Sequence, residues 1–376
     1  MRILQISSAR QLGGGERHVA DLANELSRRG HEVHAAVIPS SPLLTDLSEL
    51  PRQNILELSM RNSLNVRGAF KLARFAQERQ IQVIHAHVAR DYPVVALAAA
   101  RAGSVPFMIT RHMQFPLSRG HRITLRSVAR VIAVSQAVAD SLYAQRVFDR
   151  DKIVVIPHGI DVAKFSQTSA GRIRAGRGNE RARIGTIGQL APAKGQMDFV
   201  KAAAIVANQP GDVEFIIAGD DKSRTGENRQ RLEALISQLG LTGRVSLLGR
   251  CDDLPQLLST FDLFVSPSRL ESFGLAIVEA MACGVPVVAT RTGGAGEIIK
   301  DGETGRLVPV GNAKALAKEI CDLVENSAER ARLSENARRD VADRFSLARM
   351  VDATEGLYQD VLAARRRAGR APALLR

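Results

Sequence analysis

The chain has 376 residues, 45% apolar and 24% charged; that balance excludes wholesale disorder, and the length predicts two domains at roughly 100–200 residues each. Lys and Arg number 52 against 39 Asp and Glu, a net charge of +13, which suits an anionic partner: nucleotide phosphate, nucleic acid or an acidic membrane surface. Cys251, Cys283 and Cys321 are widely spaced and form no CxxC pair, so neither a zinc framework nor a disulfide scaffold is supported and a reducing interior is expected.

The N-terminal apolar run over residues 1–7 is too short for a signal peptide. Near-continuous apolar runs predict strands over 2–7, 32–38, 83–87, 107–112, 131–135 and 154–157, as expected for parallel strands buried on both faces. Helices are predicted over 15–29, closed by Gly30, and over 67–78 and 124–129. The longest apolar stretch, 93–100, falls far short of the roughly 20 residues that span a bilayer. Any membrane contact is therefore expected to be peripheral.

Residues 166–181 are polar, basic and without apolar period, and are read as a linker. The alternation then resumes. Strands are predicted over 183–190, 213–219, 245–249, 263–267, 285–290 and 306–308, and helices over 196–207, 228–240, 254–260, 274–283 and 313–325. Two consecutive βα series imply two facing, doubly wound Rossmann-like α/β domains, with ligands at the carboxyl ends of the strands. The domains are read as residues 1–165 and 182–346, followed over 347–376 by a last helix (347–362) and a basic tail in which 365–376 holds five Arg and no acid.

The unusual residues fall in loops after predicted strands. Gly13-Gly14-Gly15-Glu16 links the first strand to the first helix; it is either a flexible turn or a close-approach loop at a helix N-terminus that favours an anion. It is not GxGxxG, because His18 stands three residues beyond Gly15, which weakens a nicotinamide reading. Gly188-Gln189-Leu190 and Lys194-Gly195 follow the first strand of the second half. Lys194 there is a surface lysine or a point charge for a diphosphate.

The segment from Pro267 to Ala282 carries the strongest signal. Glu271 is predicted in the loop and Glu279 about one turn into an otherwise apolar helix. A buried carboxylate needs partners: a salt bridge, or the vicinal hydroxyls of a ribose. The amides of Gly274 and Leu275 at the helix start suit a phosphate. Thr292-Gly293-Gly294 repeats the strand, glycine turn and helix start. Several cradles argue for a diphosphate.

His85, His87 and His112 follow first-half strands. No HxxxH or Cys partner supports a metal. His85 and His87 are read as satisfying backbone groups, and His112 as a sugar-hydroxyl or charge-stabilising group. Asp220-Asp221 reads as a turn and cap, so no metal is assigned. A basic run, Arg119, His121, Arg122, Arg126 and Arg130, with Arg111 before it and Phe115 beside it, is either a solvated face or a segment for an anionic membrane. Residues 1–170 hold 22 basic and 13 acidic residues, a net of +9, against +4 for 171–376.

Glu271-Ser272-Phe273-Gly274 through Glu279 to Thr290, then Gly293-Gly294 and Glu297, resembles the donor-site signature of GT-B glycosyltransferases of the family-four type, with two glutamates seven residues apart. Gly13–Arg17, Val83–His87, Ala133–Ser135, Ile156–Asp161, Gly188–Gly195 and Thr304–Val308 resemble further family segments. The resemblance implies a retaining transferase that uses a UDP-sugar or GDP-sugar, with no metal or other cofactor. The family places its acceptor at the first domain, where the larger charge excess lies; that excess points to a glycan or lipid-linked acceptor of the cell-envelope kind and, with the reducing interior, to a cytoplasmic site of action, peripheral at the inner face of the membrane.

By the same resemblance Glu271 holds donor-sugar hydroxyls, Glu279 the ribose, and Lys194 with the Gly274 and Leu275 amides the diphosphate. Gln189 and Phe273 line the donor site, His112 lies by the transferred sugar, and Gly14 and Gly15 line the cleft near diphosphate and acceptor. Two positions depart from the family. Gln189 stands where Arg is usual, so either Arg269, Arg291 or another basic residue substitutes or leaving-group stabilisation is weaker, and His158 stands where Asn is frequent. An epimerase acting on a nucleotide sugar, or a non-catalytic sugar-nucleotide-binding protein, is the alternative. Nucleic acid is disfavoured by the scarce aromatics and the lack of any recognised motif.

Overall fold

The computed structural model describes residues 1–60, 65–118, 120–169, 181–209 and 211–370. They form two compact units, Met1–Gly159 with Leu347–Arg376, and Ile160–Ser346.

The first unit holds seven parallel strands: β1 (Arg2–Ser7), β2 (Glu32–Val37), β3 (Ile55–Glu57), β4 (Val83–Ala86), β5 (Phe107–Arg111), β6 (Arg130–Ala133) and β7 (Ile153–Val155). Their order is β3-β2-β1-β4-β5-β6-β7, so the winding reverses between β1 and β4. The second unit holds β8 (Ala182–Ile187), β9 (Val213–Ala218), β10 (Val245–Gly249), β11 (Leu263–Ser266), β12 (Val287–Thr290) and β13 (Arg306–Val308). Their order, β10-β9-β8-β11-β12-β13, reverses between β8 and β11. Both sheets are doubly wound α/β layers; β4, β11 and β12 are buried throughout, and β1 is buried beyond Arg2.

The helix Leu347–Arg370 belongs to the first unit. Met350, Val351, Leu357, Tyr358 and Val361 complete its core beside Leu22, Leu26 and Val33. Arg29 pairs with Asp352 at 2.6 Å and Glu355 at 3.2 Å. The buried Tyr358 hydroxyl accepts from Gln5 Nε2 at 3.0 Å and meets His85 Nδ1 at 2.7 Å.

Two local expectations differ from the structure, and one apolar stretch left without an element gains one. The helix expected over 124–129 is the short His121–Thr124 turn; Ala129 N already donates to Phe107 O at 2.9 Å, so the chain has to straighten there into β6. The stretch 93–100 lies in the helix Tyr92–Arg101. The expected linker begins inside the helix Val162–Ser169, while residues 170–180 lie outside the described residues. The helix Ser327–Arg344 went unread because it is mostly charged and buries only Leu333, Ala337, Asp340 and Val341.

Candidate active site

Ligands of open parallel sheets bind beyond the carboxyl ends of the strands, where the winding reverses. In the second unit those ends are β8 and β11. The loop after β8 carries Gly188, Gln189 and Lys194, and the loop after β11 carries Ser268 to Glu271. Arg269 N and Leu270 N donate to Ala193 O at 2.8 and 3.1 Å, which ties the two loops together. Gly195 lets them meet: its φ is +68°, and a Cβ there would lie 1.9 Å from Pro267 O. No L side chain fits such a position.

Across this junction Lys194 Nζ lies 2.6 Å from Glu271 Oε2, and Ser268 Oγ donates to the same oxygen at 3.2 Å. The pair is partly open, with side chains 33% and 14% exposed. A pair of this exposure adds little stability; what it supplies is a fixed cation and a fixed acceptor at the reversal point.

Gly274 caps the helix Leu275–Ala282. A Cβ on Gly274 would lie 3.5 Å from Glu271 Cγ, so the helix start adjoins the ion pair. The first N–H groups of a helix have no acceptor within it. Phe273 is buried edge-to-face against Phe345, with centroids 5.7 Å apart. Gly294 N donates to Glu271 O at 3.0 Å, which ties the turn after β12 to the same loop. Glu279 lies on the buried face of the helix, 2% exposed among Ile277, Val278, Ala280 and Met281.

The two substitutes for an arginine at Gln189 are committed elsewhere. Arg269 makes two bonds to Asp198, at 2.8 and 3.0 Å, and Arg291 pairs with Asp301 at 2.6 Å. Gln189 is exposed, and its carbonyl accepts from Gln196 Nε2 at 2.9 Å. Asp221 accepts from the backbone N–H groups of Ser223 and Arg229, both at 2.8 Å, as a turn and cap residue does.

The reversal in the first unit lies between β1 and β4, and histidines gather there. His18 sits on the helix Gly14–Arg28, His87 directly after β4, His112 directly after β5, and His158 beyond β7. Ring centroids of His18 lie 5.7, 5.1 and 4.7 Å from those of His87, His112 and His158. Gly15 backs onto this group, since a Cβ there would lie 3.4 Å from His112 Cγ. Gly14 opens the same helix. Burial drives His18 down to about 4 and His87, His112 and His158 well below the ordinary imidazole value, so the rings are neutral.

His85 is held between Tyr358 Oη and Thr110 Oγ1, both at 2.7 Å. Its partners are side chains, where backbone groups were expected. His87 also departs from that expectation, with Gln5 Oε1 at 2.8 Å from its Nε2. Sequence reading missed His18 and Asp91. His18 shares the buried face of its helix with Val19 and Leu22, a spacing that marks an inward position. Asp91 is 1% exposed and accepts from Ser8 N at 2.8 Å, and burial pushes its carboxyl up to about 6.

The basic run is only partly a surface. Arg111 is buried and donates to Met113 O at 3.2 Å and Phe115 O at 2.6 Å, so it orders the loop and does not join the charged face. Arg119 lies outside the described residues. Arg122 and Arg126 are exposed, and so are Met113, Phe115 and Ile123, at 51%, 54% and 77%. Among the described residues no helix is long and apolar enough to cross a membrane.

Two doubly wound parallel sheets are the fold of the GT-B glycosyltransferases, and the chain belongs to that family. Residues 12–164 match the family described as Glycosyltransferase Family 4, and residues 172–340 match Glycosyl transferases group 1. The lipopolysaccharide core biosynthesis glycosyltransferase LpsE of Rhizobium meliloti is 30% identical over 371 residues, covering 94% of this chain and 96% of that protein. The N-acetyl-α-D-glucosaminyl L-malate synthase of Bacillus anthracis is 27% identical over 372 residues, 93% and 95% of the two chains. Among solved structures, Anabaena HepE in complex with UDP and glucose superposes with a TM-score of 0.82 at 27% identity, covering 96% of this chain and all of that one (100%).

Proposed function

We propose that this glycosyltransferase moves a sugar from a UDP- or GDP-sugar to an acceptor hydroxyl with retention of configuration. The observation that carries the reading is the Lys194–Glu271 pair at 2.6 Å against the start of the Leu275–Ala282 helix, with Glu279 buried on that helix. Lys194 and the Gly274 and Leu275 amides take the diphosphate, Glu279 the ribose hydroxyls and Glu271 the sugar hydroxyls. The resemblance gives His112 the transferred sugar, and Gly14 and Gly15 the diphosphate and acceptor. The bond between the sugar and the diphosphate breaks first, with the departing charge met by Lys194 and the amides. The acceptor hydroxyl oxygen then bonds the same carbon on the face the diphosphate left, and its proton passes to the departing diphosphate oxygen. The load on the protein is electrostatic stabilisation and positioning.

A melting-temperature panel of nucleotides and nucleotide sugars tests the donor. UDP or GDP, and its cognate sugar, should raise the melting temperature selectively, because a ligand that binds only the native state stabilises it by mass action. Turnover of a nucleotide sugar with no acceptor present, yielding an isomerised donor, would replace this reading with an epimerase.

The acceptor is proposed to be lipid-linked or held at an anionic surface. The excess of 22 basic over 13 acidic residues in 1–170 and the exposed side chains of Phe115 and Ile123 support this. Vesicles containing phosphatidylglycerol should sediment the protein at low salt. Arg122→Glu with Arg126→Glu should weaken that binding strongly, at about 1 kcal/mol per basic residue near the surface. No sedimentation at low salt would remove the membrane from the proposal.

A further inference from the structure

Two ion pairs cross the junction of the loops after β8 and β11, and only one of them touches the proposed donor. Lys194 meets Glu271 at 2.6 Å. Four residues past Lys194, Asp198 accepts from both edges of the Arg269 fork, Nε at 2.8 Å and Nη2 at 3.0 Å. The backbone bonds from Arg269 N and Leu270 N to Ala193 O belong to the same junction. Each side carries a cation followed by an anion, Lys194 then Asp198 and Arg269 then Glu271. The two sides therefore pair head to tail, and the opposite alignment would set like charges together.

The second pair is built to hold. Asp198 lies in the first turn of the helix Gln196–Ala207, where a carboxylate complements the helix start. Its N–H donates to Gly195 O at 2.8 Å, and its side chain is 5% exposed. A two-bonded arginine fixes the angle of a carboxylate as well as its distance, and a buried carboxylate stripped of its partner is costly. The Lys194–Glu271 pair has a different fate. On the donor reading, Lys194 turns to the diphosphate and Glu271 to the sugar hydroxyls, so donor binding opens their contact just when the loops must stay in place. We infer that Asp198 is a positioning residue for the transfer: through Arg269 it holds the loops after β8 and β11 together while the Lys194–Glu271 pair is open. The opening of that pair rests on the donor reading, whereas the pair that holds the junction can be identified with no donor present.

Hydrogen exchange over residues 268–272, read by mass spectrometry on the full-length protein without ligand, makes that identification. Asp198→Asn should speed exchange of the Arg269 and Leu270 amides roughly 10–100-fold, the worth of a hydrogen bond to a charged group. Lys194→Ala should leave these amides protected. Arg269→Gln removes the same pair from its exposed side and should match Asp198→Asn, so the test stands even where the latter does not fold. Turnover is then followed as release of UDP from UDP-glucose or UDP-N-acetylglucosamine, or of GDP from GDP-mannose. Asp198→Asn should lower kcat by about 10²-fold with KM little changed, the cost of misplacing a group by about 1 Å. In the Lys194→Ala background it should cost about tenfold or less, because residues that act through one contact are not additive. Parental amide protection in folded Asp198→Asn and Arg269→Gln proteins would overturn the inference, as would the full loss of rate in the Lys194→Ala background; both outcomes leave the donor reading intact. Loss of rate in neither single variant would remove the donor reading and the inference with it.

Discussion

Replacing Lys194 by Ala is expected to lower the transfer rate by roughly 10²–10³-fold, the loss that follows removal of one fixed donor from a site of developing negative charge. The side chain is well placed for this role. It lies 2.6 Å from Glu271 at a loop junction held by two backbone bonds, so it is positioned before any ligand arrives. The effect should be weighted towards kcat, because the charge on the diphosphate grows as the bond to the sugar breaks. Glu279→Ala should behave differently. A carboxylate that bonds ribose hydroxyls serves the ground state and the transition state alike, so nucleotide affinity should fall about 10–100-fold, the worth of a hydrogen bond to a charged group. Calorimetric titration of the nucleotide beside initial rates separates the two. Near-parental values in both folded variants would end the donor-site assignment.

Gly195→Ala is expected to cost the second unit roughly 3 kcal/mol or more, beyond ordinary overpacking. The added Cβ would stand 1.9 Å from Pro267 O at a φ of +68°, and the obstructing atom is backbone, which cannot rotate away. Relief would require the loops after β8 and β11 to separate, taking the Lys194–Glu271 pair with them. Stability and nucleotide binding should therefore fall together. Gly296→Ala is the control: its Cβ would meet nothing within 4 Å in the helix Gly293–Ile298. There the change should be neutral or stabilising by up to about 1 kcal/mol. Denaturant midpoints measure both, and a Gly195→Ala protein as stable as its parent would contradict the junction described above.

The sheets were legible because buried parallel strands leave near-continuous apolar runs, such as Ile3–Ile6 and Val213–Ala218, broken only by Gln5 and Glu214. β3 was not, because Ile55-Leu56-Glu57 is three residues at a sheet edge. The helix Ser327–Arg344 hid for the opposite reason, since it buries little and spends its charges on pairs such as Lys300–Asp340 and Arg344–Asp340. In the second unit, glycine loops after strands flagged Lys194 and Glu271, and Glu279 stood out because it interrupts an otherwise apolar helix. The first-unit group could not be assembled that way. His18, His87, His112 and His158 are far apart in sequence, and only the parallel order of β1, β4 and β5 brings three of their loops together. Arg111 misled for a related reason: a charge count does not reveal that a guanidinium is spent on two carbonyls.

The helix Leu347–Arg370 follows the whole second unit in chain order yet fills the core of the first. On the ribosome, the first sheet therefore emerges with part of one core open and stays so while the second unit is made. Tyr358 reaches Gln5 and His85 only after that delay. The nascent first sheet is then a natural client for chaperones, and the second unit can fold first although it is translated later.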